Sequence, residues 1–211
     1  DAVEGAVTLA DIRLAQGRPR EALRTYEQAL QLGEAQSAPA IALRGTADVY
    51  MGLSDLHRER NDLDAATQHL LKARALGEHA GFPQNRYRWP LAMAQIRWAQ
   101  GDLDGALELL NQAERLYSRT FSPDARPIPA LKARLWAGQG RLSDALAWAR
   151  ERGLSVDDEL SYLREFEHIT LARVLLAGYR AEPAARALLE ATGLLDRLLK
   201  AAEGGGRMGS V

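Results

Sequence analysis

The sequence contains no cysteine, which excludes disulfide bonds and thiolate metal sites and is consistent with a reducing cytoplasm. No apolar run approaches the ~20 residues that a membrane-spanning helix needs, so we expect no membrane partner. Positive and negative charges nearly balance, because the chain has 27 Lys and Arg residues and 28 Asp and Glu residues. The chain as a whole therefore has no net field that would attract nucleic acid.

Motifs for catalysis are also missing. There is no phosphate-binding loop of the G-x-x-x-x-G-K-[ST] type, and the four histidines show neither a metal-ligand spacing nor an H-E-x-x-H motif. Glu167 and His168 are adjacent, so on a helix they point in different directions, and we expect one to face a groove and the other to pack. We therefore predict no enzyme activity, no cofactor and no metal site in this chain.

What the chain does have is a repeated helix–turn–helix pattern. In the clearest copy, Gly101 can end one helix in the left-handed conformation, and Asp102 or Asp104 can start the next. A turn residue stands five positions before an alanine in five copies: Gly17/Ala22, Asn61/Ala66, Gly101/Ala106, Gly140/Ala145 and Tyr179/Ala184. The spacings are 44, 40, 39 and 39 residues, a period typical of a solenoid of helical hairpins.

A second signature lies in the helix before each turn. The residue twelve positions before each repeat alanine is small in all five copies: Ala10, Ser54, Ala94, Ala133 and Ala172. Small residues let two helices approach closely, which is typical of tetratricopeptide (TPR) hairpins, here lengthened from about 34 to about 40 residues. A HEAT-type repeat has the longer period naturally, but the paired small positions favour the TPR pattern. We predict an all-α, TPR-like right-handed superhelix of about five antiparallel helix hairpins.

The predicted solenoid spans residues 1–206. Its repeats cover about 1–36, 37–81, 82–122, 123–156 and 157–206, and residues 207–211 resemble the start of a truncated further repeat, as expected of a fragment. At Pro90 the first helix of the third repeat either starts or is kinked, and we favour a kink. We expect Asp157 or Asp158 to cap the first helix of the fifth repeat. Three prolines between residues 120 and 129 indicate a flexible joint.

A solenoid of this kind binds its ligands on the concave face, which is lined by the first helix of each hairpin. Residues eleven and eighteen positions before each repeat alanine should face that groove, and they change from acidic to basic along the chain. A polar ligand or an anionic peptide would bind near Arg88, Arg134 and Arg173. The alternative is a solvated inner face without a ligand. The peptide-binding clamp of TPR domains needs a basic residue fifteen positions, and an asparagine eleven positions, before the repeat alanine. No copy in this sequence has that pair.

Two clusters combine cations with aromatic rings, at residues 86–89 and 162–168. In the alternative interpretation, Trp89 and Phe166 pack between hairpins and the arginines are surface ion pairs. The complete set of candidate groove residues is Asp48, Asp55, Arg86, Arg88, Trp89, Gln95, Arg134, Tyr162, Glu165 and Arg173.

These clusters and the segment between them also carry a resemblance to a family. The strings are Asn85-Arg86-Tyr87-Arg88-Trp89, Gly101-Asp102-Leu103-Asp104, Phe121-Ser122-Pro123 with Arg126-Pro127, Ala147-Trp148-Ala149, Gly153-Leu154-Ser155, and residues 159–168, ELSYLREFEH. They resemble the superhelical segment of MalT-like, LuxR-type ATP-dependent transcriptional regulators, closely over about 80–178 and elsewhere through the repeat alone.

The resemblance implies a function. In that family an NTPase module precedes the TPR-like region and a helix-turn-helix that binds DNA follows it. The superhelix receives a small-molecule inducer or a regulatory protein and so controls ATP-dependent self-association. This sequence contains neither flanking module, so ATP is expected only in an upstream module and DNA binding only elsewhere. The alternative function is a generic TPR scaffold for protein–protein interaction.

Overall fold

The computed structural model describes residues 2–35, 40–76, 86–117 and 126–206. In these ranges the secondary structure is α-helical, apart from turns, loops and a 3₁₀ turn at Tyr162–Arg164. The helices are α1 (Ala2–Ala15), α2 (Pro19–Ala35), α3 (Ala40–Glu59), α4 (Leu63–Ala75), α5 (Arg88–Ala99), α6 (Leu103–Leu116), α7 (Ile128–Gly138), α8 (Leu142–Glu151), α9 (Glu165–Ala181) and α10 (Ala185–Gly204). Consecutive helices pack in pairs, which confirms the prediction of helical hairpins.

The chain divides into two compact units. The first unit comprises residues 1–119 with α1 to α6, and the second comprises residues 120–206 with α7 to α10. The predicted flexible joint at 120–129 lies mostly outside the described residues, as does the predicted further repeat at 207–211.

Four of the five predicted turns have the expected backbone. Gly17, Gly101 and Gly140 have φ values of 71°, 84° and 75°. Asn61 replaces glycine at the second turn with a φ of 62°, which asparagine tolerates better than most residues. Asp102 caps α6, since its carboxylate accepts a hydrogen bond from the Gly105 N–H at 2.9 Å. The turn prediction is therefore confirmed for these four hairpins.

Helices of a pair approach at the predicted small residues. The four alanines after these turns are fully buried: Ala22, Ala66, Ala106 and Ala145. All five small residues of the preceding helices are at most 1% exposed: Ala10, Ser54, Ala94, Ala133 and Ala172. Each core is thus built where small side chains let two backbones come together.

The turn and the repeat alanine of the fifth copy were wrong, although its small residue Ala172 is buried as predicted. Tyr179 lies inside α9, and Ala184 is an exposed residue that precedes α10. Without a left-handed residue at position 179, α9 continues to Ala181. The chain then passes through Glu182 in an extended conformation, as favoured before Pro183. The last helix therefore starts about four residues later than the repeat predicted.

Two local predictions also need correction. Pro90 does not kink a helix; it is the third residue of α5, in the first turn, where its missing N–H costs no hydrogen bond. Neither Asp157 nor Asp158 caps α9. That helix begins at Glu165, and the Asp158 carboxylate accepts the Ser155 N–H within the preceding loop at 3.1 Å.

Candidate binding site

Two predicted groove residues, Asp48 on α3 and Arg88 at the start of α5, meet in the first unit. Arg88 Nη1 donates to Asp48 Oδ1 at 2.5 Å. The side chains are 31% exposed for Arg88 and 11% for Asp48, so solvent screens this pair less than a surface ion pair. The structure thus brings the two residues together as partners of each other, and each neutralises the charge that the other would offer a ligand.

A tyrosine that the groove prediction missed lies close to this pair. Tyr26 on α2 is 1% exposed, and its hydroxyl donates to Asp11 Oδ1 at 2.8 Å. Burial, followed by the Asp11 carboxylate, raises the pKa of Tyr26. The Tyr26 ring lies against Gly52 of α3 so closely that a Cβ at that glycine would overlap it. The sequence held a signal for this contact, since the residue four positions after the repeat alanine is large in four of the five copies and is Tyr26 in the first.

Trp89 is a packing residue whose polar atom is satisfied. Its Nε1 donates to the Leu70 carbonyl oxygen at 3.0 Å, and the Arg74 guanidinium lies 4.9 Å from its ring centroid. The half-buried ring packs against the apolar cluster of α3, α4 and α5. This geometry favours the packing alternative for Trp89.

The remaining candidates of the first unit have weaker or more exposed surroundings. The Asp55 carboxylate lies 3.7 Å from Arg58 Nε. Gln95 is half-buried on α5 and Arg86 is exposed just before that helix.

In the second unit, Arg134 of α7 is held in one orientation. Its Nε donates to Thr170 Oγ1 at 2.8 Å, and its guanidinium lies 3.8 Å from the centroid of the Phe166 ring. Thr170 is fully buried and itself donates to the Phe166 carbonyl at 2.7 Å. The half-buried arginine is therefore fixed from two directions by α9.

Two further arginines surround this group. Arg126, just before α7, places its guanidinium 6.0 Å from the Phe166 centroid. Arg173 lies seven residues after Phe166 on α9, on the same side of the helix. Burial, followed by the charges of Arg173 and Arg126, lowers the pKa of Arg134 to about 9. The arginine cluster of the second unit is thus Arg126, Arg134 and Arg173; Arg134 and Arg173 were predicted groove residues, and Arg126 was missed.

The second predicted cluster, residues 162–168, is mostly a structural network. Glu167 is 2% exposed and accepts hydrogen bonds from Arg152 Nε at 2.7 Å and Arg164 Nε at 3.2 Å. His168 is fully buried, with Nδ1 2.9 Å from the Arg164 carbonyl and Nε2 3.0 Å from Asp158 Oδ2. The expectation that one of Glu167 and His168 faces a groove was wrong, because both are packed.

This network holds the loop between α8 and α9. Arg197 of α10 adds to it by donating to two backbone carbonyls of that loop, those of Val156 and Asp158. Of the candidates nearby, Tyr162 is 51% exposed and Glu165 is 8% exposed. Residues 159–168, the longest string of the family resemblance, therefore hold the loop between α8 and α9 in place through Arg164, Glu167 and His168.

The predicted site residues fall into two groups. Asp48, Asp55, Arg86, Arg88, Trp89 and Gln95 belong to the first unit, and Arg134, Tyr162, Glu165 and Arg173 belong to the second. Within each unit only some are in contact, notably the Asp48–Arg88 pair and the surroundings of Arg134. The described ranges contain no group of three or more His, Asp or Glu residues placed to hold a metal ion.

Solved structures share this architecture. A crystal structure of nearly identical TPR-like repeats of a putative kinesin light chain from Podosopora anserina matches with a TM-score of 0.58, at 16% identity. That match covers 92% of this chain and 94% of the other. A point variant of the same repeats matches with a TM-score of 0.56 at 17% identity, covering 96% of this chain and 95% of the other. The fold is therefore an all-α, TPR-like helical repeat. No curated protein matches the sequence.

The family follows from the sequence as a whole. The family described as MalT-like TPR region matches residues 2–211. This chain belongs to the MalT-like TPR region family, as the resemblance predicted. None of the helices in the described ranges has the length and apolar character needed to cross a membrane.

Proposed function

We propose that this chain is the sensor segment of an ATP-dependent, LuxR-type transcriptional regulator of bacteria. The observation that carries the proposal is the family match across residues 2–211. In such a regulator the ATP site and the DNA-binding helices belong to other modules. The task of this chain is to receive a small-molecule inducer or a regulatory protein. A protein with this function acts in the cytoplasm.

The mechanism is a shift between populations of conformations. An effector that contacts side chains from several helices favours the arrangement in which those contacts are best made. That arrangement changes how the flanking modules are presented, and therefore the affinity for ATP-dependent self-association. The effector has to distinguish the two arrangements, since equal affinity for both would shift nothing.

A second function, a protein–protein scaffold, is favoured by the fold alone. TPR-like folds generally mediate protein interactions, and the repeats of a putative kinesin light chain share the architecture. A scaffold requires a partner protein but no effector and no control of self-association.

A thermal-shift screen of the 211-residue chain separates the two functions. A ligand that binds only the native state adds about 2.7 kcal/mol of stability at roughly 100 times its Kd. A compound found in this way is then added, with and without ATP, to the complete regulator. We expect it to change ATP-dependent self-association measured by sedimentation velocity. A compound that binds but leaves self-association unchanged contradicts the sensor function. A protein partner that binds and also leaves self-association unchanged supports the scaffold.

A further inference from the structure

The arginine cluster of the second unit concentrates positive charge that the described residues do not neutralise. Arg126, Arg134 and Arg173 have no carboxylate oxygen within 4.0 Å in the parts of the chain that the structure describes. Helix α7 carries no acidic residue, and α9 carries two, Glu165 and Glu167. Glu167 is taken by Arg152 and Arg164, and the Glu165 carboxylate forms no ion pair with the three arginines of the cluster. A half-buried charge such as that of Arg134 is normally paired, and the two exposed arginines beside it add to the positive charge, so this cluster has the charge of an anion site.

The guanidinium of Arg134 is also held in a fixed orientation. Thr170 accepts from Nε, and the guanidinium carbon lies over the Phe166 ring, 3.8 Å from its centroid, so two contacts fix the group before any ligand arrives. The two Nη groups make no hydrogen bond to any residue that the structure describes. A fixed guanidinium with its Nη edge open matches the two oxygens of a carboxylate or phosphate. Fixing the donor beforehand lowers the entropy cost of binding.

We propose that Arg126, Arg134 and Arg173 bind one oxyanion group, a carboxylate or a phosphate, of a small-molecule effector. This inference rests on the proposed function, because it names the chemistry of the effector that the sensor receives. Arg134 would make the bidentate contact, and the more exposed Arg126 and Arg173 would supply further donors and attract the anion. Arg88 is not part of this site, because its charge is paired with Asp48.

Isothermal titration calorimetry of the full chain tests the proposal with two probes, inorganic phosphate and citrate. Sodium chloride at matched ionic strength controls for screening of charge in general. We expect saturable binding of one probe at concentrations up to the millimolar range. The tighter probe distinguishes a phosphate from a carboxylate effector. Absence of saturable binding by both probes overturns the proposal, as does a short acidic peptide that binds where neither small anion does.

Variants locate the site. Arg134→Met keeps an unbranched apolar stem beside Phe166 and removes the charge, so we expect affinity to fall by about tenfold or more. Arg173→Met removes an exposed charge that does not contribute to the core, and it should weaken binding even if Arg134→Met folds poorly. Arg186→Met is the matched control, because this 88% exposed arginine of α10 belongs to the same unit and its removal changes the net charge equally. Equal loss in Arg186→Met and Arg173→Met overturns the proposal.

Failure of the anion site and failure of the sensor function give different results in these experiments. If neither probe binds while another compound raises the melting temperature and changes self-association, the sensor function stands and the anion site fails. If a probe binds at Arg134 but self-association of the complete regulator does not respond, the anion site stands and the sensor function fails.

Discussion

The two units treat the charges at their predicted groove positions differently. In the first unit Arg88 meets Asp48 at 2.5 Å and Asp11 accepts the Tyr26 hydroxyl at 2.8 Å. In the second unit Arg134 meets a threonine hydroxyl and an aromatic ring, and two more arginines stand near it. An ion pair holds helices together but leaves little for a ligand, whereas unpaired cations leave binding capacity at some cost in self-repulsion. Predicted groove residues are thus paired with each other in the first unit, whereas the arginines of the second unit have no carboxylate partner among the described residues.

The largest expected effect comes from the repeat alanines, which the sequence treats as equivalent. Ala106→Arg in the first unit forces a charged side chain into a fully buried helix contact and should cost about 3 kcal/mol or more. Ala184→Arg in the second unit changes an exposed residue and should stay within about 0.5 kcal/mol. Urea unfolding followed by circular dichroism measures both. Similar losses of stability in the two variants would show that Ala106 and Ala184 are equivalent, as the repeat pattern predicted.

A glycine pair contrasts the close approach of helices in the first unit with an open surface in the second. Gly52→Ala places a methyl group against the buried Tyr26 ring and should destabilise by about 1–3 kcal/mol. Gly193→Ala, in α10 with no atom within 4 Å of a new Cβ, should stabilise by about 0.5–1 kcal/mol through helix propensity. Opposite signs in the melting temperature are the expected result; a stable Gly52→Ala would show that Tyr26 can move away.

Charge removal distinguishes the paired arginine from the unpaired one. Asp48→Asn leaves Arg88 without its carboxylate and should cost about 1–2 kcal/mol. Arg134→Met removes one hydrogen bond and a ring contact but also relieves repulsion, so its stability should change by less than about 1 kcal/mol. Adding Arg88→Met to Asp48→Asn should recover part of the loss in a double-mutant cycle. A larger loss for Arg134→Met than for Asp48→Asn would contradict the comparison.

The smallest effect is a pH dependence confined to the second unit. The Ser155 N–H, then the His168 ring and the Arg164 charge, lower the pKa of Asp158 below its usual value. Because the folded pKa is lowered, this stabilisation is present above the ordinary aspartate pKa of about 4 and is lost as pH falls through the lower folded value. Urea unfolding midpoints measured at falling pH should therefore decline less steeply for Asp158→Asn. Parallel acid limbs for the variant and the parent would contradict this assignment.

The sequence predicted the helical hairpins because their signals are local. A left-handed turn residue, an aspartate cap and small residues at fixed offsets each act within one hairpin, as at Gly101, Asp102 and Ala106. The fifth turn failed for a local reason as well, since Tyr179 cannot end a helix as glycine does. Repeat spacing alone could not reveal that α9 continues past it.

The site was less predictable because charge pairing depends on which helices touch. Position counting placed Arg88, eighteen residues before its repeat alanine, and Arg134, eleven residues before its own, on the same predicted groove face. Only packing decides that Asp48 reaches Arg88 while no carboxylate of the described chain reaches Arg134. Arg126 was missed because it precedes α7 and does not lie eleven or eighteen positions before a repeat alanine. The available signal was composition, because the charged residues of α7 are all cationic.

The contact of Arg197 with the loop between α8 and α9 has a consequence for variation among relatives. The guanidinium donates to the main-chain carbonyls of Val156 and Asp158. Its hydrogen bonds therefore depend on the backbone conformation of the loop and not on the exposed side chains of Asp157 and Glu159. Substitutions at those two positions should leave both hydrogen bonds intact. Inserting or deleting a residue between Val156 and Asp158 would change the spacing of the two acceptors, so we expect the length of this segment to vary less among relatives than its exposed side chains.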